Sequence, residues 1–510
     1  MTNDERLTTN DFLPAGHAAG ILFPRSTADV VEIVTAHRAI LPIGAQSSLT
    51  GGATPMGEMI VATSKMARIL DVEPGRVTVE PGVTVAAMQE RLAESGDWFP
   101  PAPTFTGACV GGIVATNAAG AATFKYGSTR QWVDAITVVL ADGTVIDLRR
   151  GKHKARGHEL ELETQRGRVM IPLPTYEMPR VVKRSAGYHA ASDMDAIDLF
   201  IGSEGTLGII TQITFRTVSP APQIAMAMVP CVSEPQALAL VDALRDASLD
   251  TWRTHAAADI DACAIEHMDR RSLELARADG ANDRHQVTLP EQTEVALLVQ
   301  LELGADVDAS TAFDQIQNAL GDDGSDSPLA RFCRLLDRAN VLADTEIALP
   351  QNRRRIADFL AIREAVPAGV NQRVSTAKRT IDSRIEKTAA DMVVPFDRFA
   401  EMMAVYRRGF DDRGLDYAIW GHLSDGNVHP NVIPRSFDDV RRGKEAMLEF
   451  GREIARLGGC PLAEHGVGRN PVKQTLLRNL YGEGGVDQMR AVKRALDPEW
   501  RLAPGVIFER

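Results

Sequence analysis

The sequence predicts an α+β chain from three features. Strand-like and helix-like stretches alternate through the first half, a Pro-rich boundary follows at Ser219-Pro220-Ala221-Pro222, and the alternation resumes beyond it. In the second half the order is strand (224–229), helix from Ser233, strand (294–303) and helix from Ala305, which reads as an α+β cap of the ferredoxin-like kind. With 510 residues the chain has length for two or three domains and a substantial core.

In chain order, residues 1–10 are polar and acidic and lack the apolar centre of a signal peptide. Residues 28–39 carry helical apolar spacing at Val30, Val31, Ile33 and Val34. They run into a small-residue loop, 41–52, whose backbone N–H groups suit a cradle for phosphate oxygens, although such a loop alone is equally a surface turn. It is not Gly-x-Gly-x-x-Gly, so a Rossmann reading lacks its main support. Strands follow at 59–62 and 76–80, Pro81-Gly82 ends the second, and Thr84 caps a helix with Val85, Met88 and Leu92 on one face, stopped at Gly96.

The stretch 101–120 is nearly uncharged and dense in Gly, Ala and Thr, which fits either close approach to a large ligand or tight packing between elements. Residues 135–140 and 144–148 form a hairpin about Asp142-Gly143, and the basic run 149–158 reads as a solvated excursion. A third small-residue turn, 200–211, continues as a strand to Arg216. The Asp/Ala-rich stretches 276–285 and 321–326 read as exposed loops, and the basic residues on helical spacing between Arg353 and Lys387 as mostly solvated.

The balance of 56 basic and 68 acidic residues, a net charge of -12, has the wrong sign for a nucleic-acid or anionic-membrane binder. Five scattered cysteines without a Cys-x-x-Cys pair point to a reducing compartment and away from disulfides and iron–sulfur clusters. No run approaches the roughly 18 apolar residues of a membrane span, so a cytoplasmic protein is expected.

The chemistry concentrates at residues 420–429, Trp-Gly-His-Leu-Ser-Asp-Gly-Asn-Val-His. Folding about Asp425-Gly426 as a two-residue turn pairs His422 with His429, near enough for both imidazoles to reach one ion. Glu464 and His465, in a small-residue loop, offer a further ligand; two His and one Glu with an open position is a catalytic metal set. Two histidines that merely pack across a hairpin have the same spacing.

Together, in this order and spacing, the three small-residue segments resemble the flavin-binding domain of the vanillyl-alcohol oxidase (PCMH-type) superfamily. With the hairpin and Glu464-His465-Gly466 added, the chain is similar to its FAD-linked D-2-hydroxyacid dehydrogenase branch over residues 20–510. That branch includes D-lactate and D-2-hydroxyglutarate dehydrogenases and the FAD subunit of glycolate oxidase. The resemblance implies an N-terminal arm (1–19), a PCMH-type FAD-binding domain of two α+β subdomains (20–218) and a C-terminal substrate and metal domain (219–510).

By that resemblance, FAD lies extended between the subdomains, its pyrophosphate on Gly44, Ala45, Gln46, Ser47 and Ser48 with Gly51 nearby. Pro103, Gly107, Gly111, Gly112, Thr116, Asn117 and Gly120, then Glu204, Gly208 and Ile210, line the rest. The family usually carries Gly where this chain has Ala45, Ser48 and Ala119. Ile362-Arg363-Glu364 matches a segment whose arginine clamps the substrate carboxylate, a task suited to a planar guanidinium. Lys387 matches a second cation, and Pro367 stands where the family often has Thr or Ser. Residues 497–505 resemble the family's terminal signature, which returns to the cofactor domain.

The implied reaction is oxidation of a D-2-hydroxyacid to a 2-oxoacid, with hydride passing from C2 to flavin N5. His422, His429 and Glu464 would hold zinc or manganese, His465 would serve as general base or else as a ligand or an orienter of the substrate carboxylate, and Asn427 would bond substrate or flavin. Two alternatives stand beside it: a metal-free alcohol oxidase of the same superfamily, and an accessory flavin subunit needing a partner. The electron acceptor (quinone, cytochrome c, electron-transfer flavoprotein or oxygen) and the substrate side chain are left open, and a homodimer is one allowed assembly.

Overall fold

The computed structural model describes residues 16–510 apart from 102, 165–166, 257–258 and 322–325; the polar arm 1–10 and most of the expected loop 321–326 lie outside the described residues. Helix and strand alternate from the start, as the apolar spacing predicts. Ser26 accepts a hydrogen bond from the Asp29 amide to begin the helix Thr27–Ala36, which buries Val30 and Val34. Thr84 does the same for Val85–Ala93 through the Ala87 amide, burying Val85, Met88 and Leu92. The strands Gly20–Leu22 and Ile40–Ile43 flank Met59–Ala62 in a parallel sheet. A five-stranded antiparallel sheet runs Ile69–Glu73, Arg76–Val79, Ile209–Arg216, Val133–Val139, Val145–Arg149.

The second unit is larger than a four-element cap. Its seven-stranded antiparallel sheet runs Glu346–Ala348, Gln223–Cys231, Val295–Leu303, Ala262–Asp269, Tyr417–His422, Asn427–Val432, Met392–Val393. Ala262–Asp269 was not expected from the sequence, because it is buried on both faces and so shows no apolar–polar alternation. The expected loop at 276–285 is helical instead, over Arg270–Ala278 and Ala281–His285. Its alanines serve as helix formers, and Ala276 and Ala281 are fully buried. The basic run does leave the surface exposed at Lys152, His153, Lys154 and Arg156, and then forms a further hairpin, Glu159–Thr164 with Gly167–Pro172.

Two features set the site. First, the 420–429 hairpin is shifted from the expected register: His429 opposes Trp420, and His422 opposes Asn427. Leu423–Asp425 forms a 3₁₀ turn closed by Gly426 at φ 78°, because tertiary contacts override the two-residue turn. Ser424 Oγ accepts the Ile265 amide at 3.1 Å, and the Asp425 carboxylate lies 3.0 Å from Lys183 Nζ. A shift of two residues keeps both imidazoles on one face, where a shift of one would have separated them. Their ring centroids are 5.5 Å apart.

Second, the chain end returns to the first unit. Ile40 N donates to Arg501 O at 2.8 Å and Ala503 N to Ile40 O at 2.7 Å, so residues beyond 496 belong in space with the parallel sheet. Among the described residues, no helix is long and apolar enough to cross a membrane.

A Cβ at position 426 would lie 2.2 Å from Val394 O, on top of the left-handed backbone. Gly426→Ala is therefore expected to destabilise the protein by about 2 kcal/mol or more, read as a lowered thermal midpoint. An unchanged midpoint would mean the turn is built otherwise.

Candidate functional site

A cavity of about 410 Å³ separates the small-residue loops of the first unit from the cap sheet. Twelve of the expected cofactor residues line it: Gly44, Ala45, Gln46, Ser47, Ser48, Pro103, Gly111, Gly112, Thr116, Glu204, Gly208 and Ile210. Gly51, Gly107, Asn117 and Gly120 do not. Asn117 Oδ1 accepts the Arg130 amide at 3.0 Å, the Gly120 amide donates to Thr123 Oγ1, Gly107 lies against the Phe105 ring, and Gly51 faces a neighbouring pocket.

Both readings of the small-residue segments hold, at different positions. A Cβ on Gly208 would meet Val138 at 2.3 Å, which is packing between elements. A Cβ on Gly112 would meet nothing within 4 Å and would project into open space beside a cavity wall, the surface a large planar ligand needs. Glu204 lines the cavity but is committed elsewhere: its two oxygens accept the Val467 and Gly468 amides at 2.8 Å. Burial pushes its carboxyl up to about 7 against those bonds. It fastens the 200–211 loop to the loop carrying Glu464 and His465.

On the cap side, three imidazole nitrogens surround one carboxylate oxygen. Glu464 Oε1 is 3.4 Å from His422 Nε2, 3.2 Å from His429 Nε2 and 3.4 Å from His465 Nε2. Tetrahedral ligands at metal distances of roughly 2.1 Å stand about 3.4 Å apart, so this spacing fits a divalent ion. Asp391, His429, Glu464 and His465 form an overlapping set whose ligand atoms lie within 4.8 Å of one another.

The groups behind these side chains separate the roles. His422 Nδ1 is held by Glu266 Oε1 at 2.7 Å, which turns Nε2 to the centre. Asp391 Oδ2 is occupied by the Glu464 and His465 amides at 3.0 and 2.7 Å, and sits 3.3 Å from His465 Nδ1. Asp391 therefore suits an orienter of His465 better than a ligand.

Electrostatics follow the same lines. Burial alone would lower His422, but the Glu266 carboxylate overrides it and leaves about 9. His429 is depressed to about 4 by burial, Glu464 offsetting only part. Burial would raise Glu464 too, yet Lys183 and His422 hold it well below the usual carboxylate range. Arg363 donates through Nε to Glu266 Oε2 at 3.0 Å and through Nη1 to Glu364 at 2.8 Å; it is 7% exposed and lines the cavity. The expectation that the basic residues of this helix are mostly solvated fails at Arg363 for that reason. Lys387 also lines the cavity, donates to Asn371 Oδ1 at 2.8 Å, and is pushed down to about 8 by burial.

The expectation that Asn427 bonds substrate or flavin fails. Fully buried, Asn427 donates to Asp391 Oδ1 and Met392 O and accepts from Lys183 Nζ, and it does not line the cavity. It braces Asp391 rather than meeting a ligand. Lys183, Glu266 and Lys473 also escaped sequence reading, because each reaches the cluster through tertiary contacts with no local spacing to betray it.

Comparison with known proteins agrees with this layout. Residues 233–507 match the model of the C-terminal domain of FAD linked oxidases, and residues 18–149 match an FAD binding domain. Glycolate oxidase subunit GlcD of Bacillus subtilis is 26% identical over 501 residues, covering 96% of this chain and 89% of that one. D-2-hydroxyglutarate dehydrogenase of Xanthomonas citri pv. viticola is 26% identical with the same coverage. D-lactate dehydrogenase of Archaeoglobus fulgidus is 26% identical over 96% of this chain and 91% of its own. In fold, the chain is similar over 95% of its length to alkyldihydroxyacetonephosphate synthase, with a TM-score of 0.57 at 15% identity and 75% of that chain covered. A match spanning more than half the chain, over a cap whose cluster faces the small-residue loops, makes this protein a member of the FAD-linked oxidases.

Proposed function

We propose that the protein oxidises a D-2-hydroxyacid to its 2-oxoacid. The observation that carries the proposal is the convergence of His422, His429 and His465 on Glu464 Oε1, on a cavity wall that also bears Arg363. Relatives named for glycolate, D-lactate and D-2-hydroxyglutarate support the substrate class. When bound, FAD supplies the hydride acceptor, and a divalent ion such as zinc or manganese supplies a Lewis acid for the substrate hydroxyl. His422, His429 and Glu464 are the residues that would hold the ion.

The chain's own groups do the rest. A guanidinium has five donors, and the contacts to Glu266 and Glu364 use two, so Arg363 retains N–H groups for the substrate carboxylate while those acids fix its plane. Anchoring the carboxylate decides which face of C2 is presented. Lys387 adds a second cation, and an anion beside it favours its charged form. His465 takes the hydroxyl proton at Nε2 while Asp391, beside Nδ1, stabilises the imidazolium that results.

Three measurements test this. Mixed anaerobically with a panel of D- and L-2-hydroxyacids, the purified chain's flavin should bleach with D-isomers; chelation should abolish the bleaching and zinc or manganese restore it. Full reduction by metal-stripped protein would refute the metal's part, and no reduction by any member would refute the substrate class. His465→Asn should keep its FAD and lose roughly 10²- to 10⁴-fold in kcat. A variant within a few-fold of wild type would remove His465 from the chemistry.

The third is a pH test. A ligand imidazole must be neutral, and His422 is protonated below about 9, so an incoming ion has to displace its proton. The apparent metal affinity should weaken about tenfold per unit as pH falls below that value, with close to one proton released at pH 7.5. Calorimetry in buffers of different ionisation enthalpy reads the proton count, and zero release would be the contrary result. In the metal-free protein the sign reverses: the imidazolium–Glu266 pair stabilises the fold fully below about 6.5, and that contribution is lost as pH rises through about 9.

A further inference from the structure

A second pocket, of about 100 Å³, adjoins the main cavity at its catalytic end. The two share Lys387, Ala389, Ala390, Asp391, Asn470 and Lys473. Its outer rim includes Met56, 45% exposed, and Lys444, whose ammonium contacts Glu386; its inner end is the Asp391–Lys473 pair beside His465. By volume it has room for several water molecules or a small carboxylic acid.

Its charge runs against that of the molecule. Four cations line it, Lys387, Lys444, Arg469 and Lys473, against the carboxylates Glu386 and Asp391 on its wall and Glu58 paired behind Arg469, in a chain with a net charge of -12. Arg469 is tied to Thr54 O, Glu58 and Pro504 O, which makes it a fixed wall. The main cavity's opposite wall is the small-residue surface that includes the matched FAD binding domain, the side on which the cofactor would lie.

We infer that this pocket is an anion-binding vestibule through which a small 2-hydroxycarboxylate reaches, and its 2-oxoacid leaves, the catalytic cluster without passing the flavin. The inference rests on the proposed function for the identity of its ligand. Clefts lined by one sign of charge raise the local concentration of an opposite ion and its rate of arrival, and salt removes the effect. Lys444 stands at the rim and touches no group of the cluster, so its charge governs entry rather than chemistry.

The test uses stopped-flow anaerobic flavin reduction of the FAD-loaded enzyme, with D-lactate and D-2-hydroxyglutarate as probes. Lys444→Glu should lower the second-order rate constant by about threefold to tenfold at low ionic strength, converge with wild type at high ionic strength, and leave the limiting rate unchanged. All five native cysteines are buried, so in Met56→Cys a bulky maleimide labels the rim alone. The labelled enzyme should retain its FAD and its limiting rate and lose about tenfold or more in the second-order constant. A labelled enzyme reduced with an unchanged constant overturns the vestibule, as does a Lys444→Glu effect indifferent to salt. Failure of both probes, and of every other 2-hydroxyacid, to reduce the unlabelled wild type refutes the proposed function itself and takes the vestibule with it.

Discussion

Glu464 is a carboxylate removed from water, and the arrangement of the cap follows from what is needed to keep it charged. Desolvating such a group costs several kcal/mol unless opposite charge surrounds it. Here one oxygen faces three imidazole nitrogens and the other lies 3.2 Å from Lys183 Nζ, itself fully buried. Lys183 in turn needs Asp425 and Asn427, so the 3₁₀ turn of the hairpin is shaped by the same charge it serves. The balance extends outward with alternating sign. Glu266 stands between His422 and Arg363, and Asp391 between His465 and Lys473. Burial would neutralise either acid, and in both the neighbouring basic groups win and hold it well below the usual carboxylate range.

This network explains why the site straddles separate elements. Glu266 comes from the centre of the seven-stranded sheet, the two histidines from the adjacent hairpin, Arg363 from the helix Arg353–Thr380, and Lys183 from the first half of the chain. Pro367 lies inside that helix one turn beyond Arg363, where it supplies no N–H for the Arg363 carbonyl and presents an apolar ring to the cavity. That position is thus a nonpolar wall. That leaves the fixed polar contacts to the carboxylate end of a ligand.

Elements whose side chains obey a local period were legible in the sequence. Val30 and Val34, and Val85, Met88 and Leu92, sit buried where helical spacing put them, with Ser26 and Thr84 as caps. Glu464, His422, His429 and Arg363 stand in compact motifs, and the fold brings all four to one cavity. What escaped has no local period: Ala262–Asp269 is buried on both faces, and the helices over 270–285 carry too many charges to look like part of a core. The hairpin register slipped by two because Asp425-Gly426 is a turn signal only when nothing else claims Asp425, and Lys183 does. The place of Asn427 is illegible in the sequence for a related reason. Its position beside His429 in sequence says nothing about Asp391, 36 residues away along the chain, which it braces.

The same cross-chain ties decide how rigidly the flavin-side loops and the cluster are held together. Glu204 spends both oxygens on the amides of Val467 and Gly468, and Arg469 reaches Thr54 O and Glu58 of the first unit. The terminal strand-like residues lock onto Ile40, at the start of the strand that feeds the 44–52 loop. The first two ties join the first unit to the short loop bearing Glu464 and His465, and the third fixes the strand that leads into the 44–52 loop. A transfer between two bound ligands depends on sub-ångström spacing, which neither unit can set by itself. Placing the fastening within four residues of His465 makes that spacing a property of the folded chain before any ligand arrives.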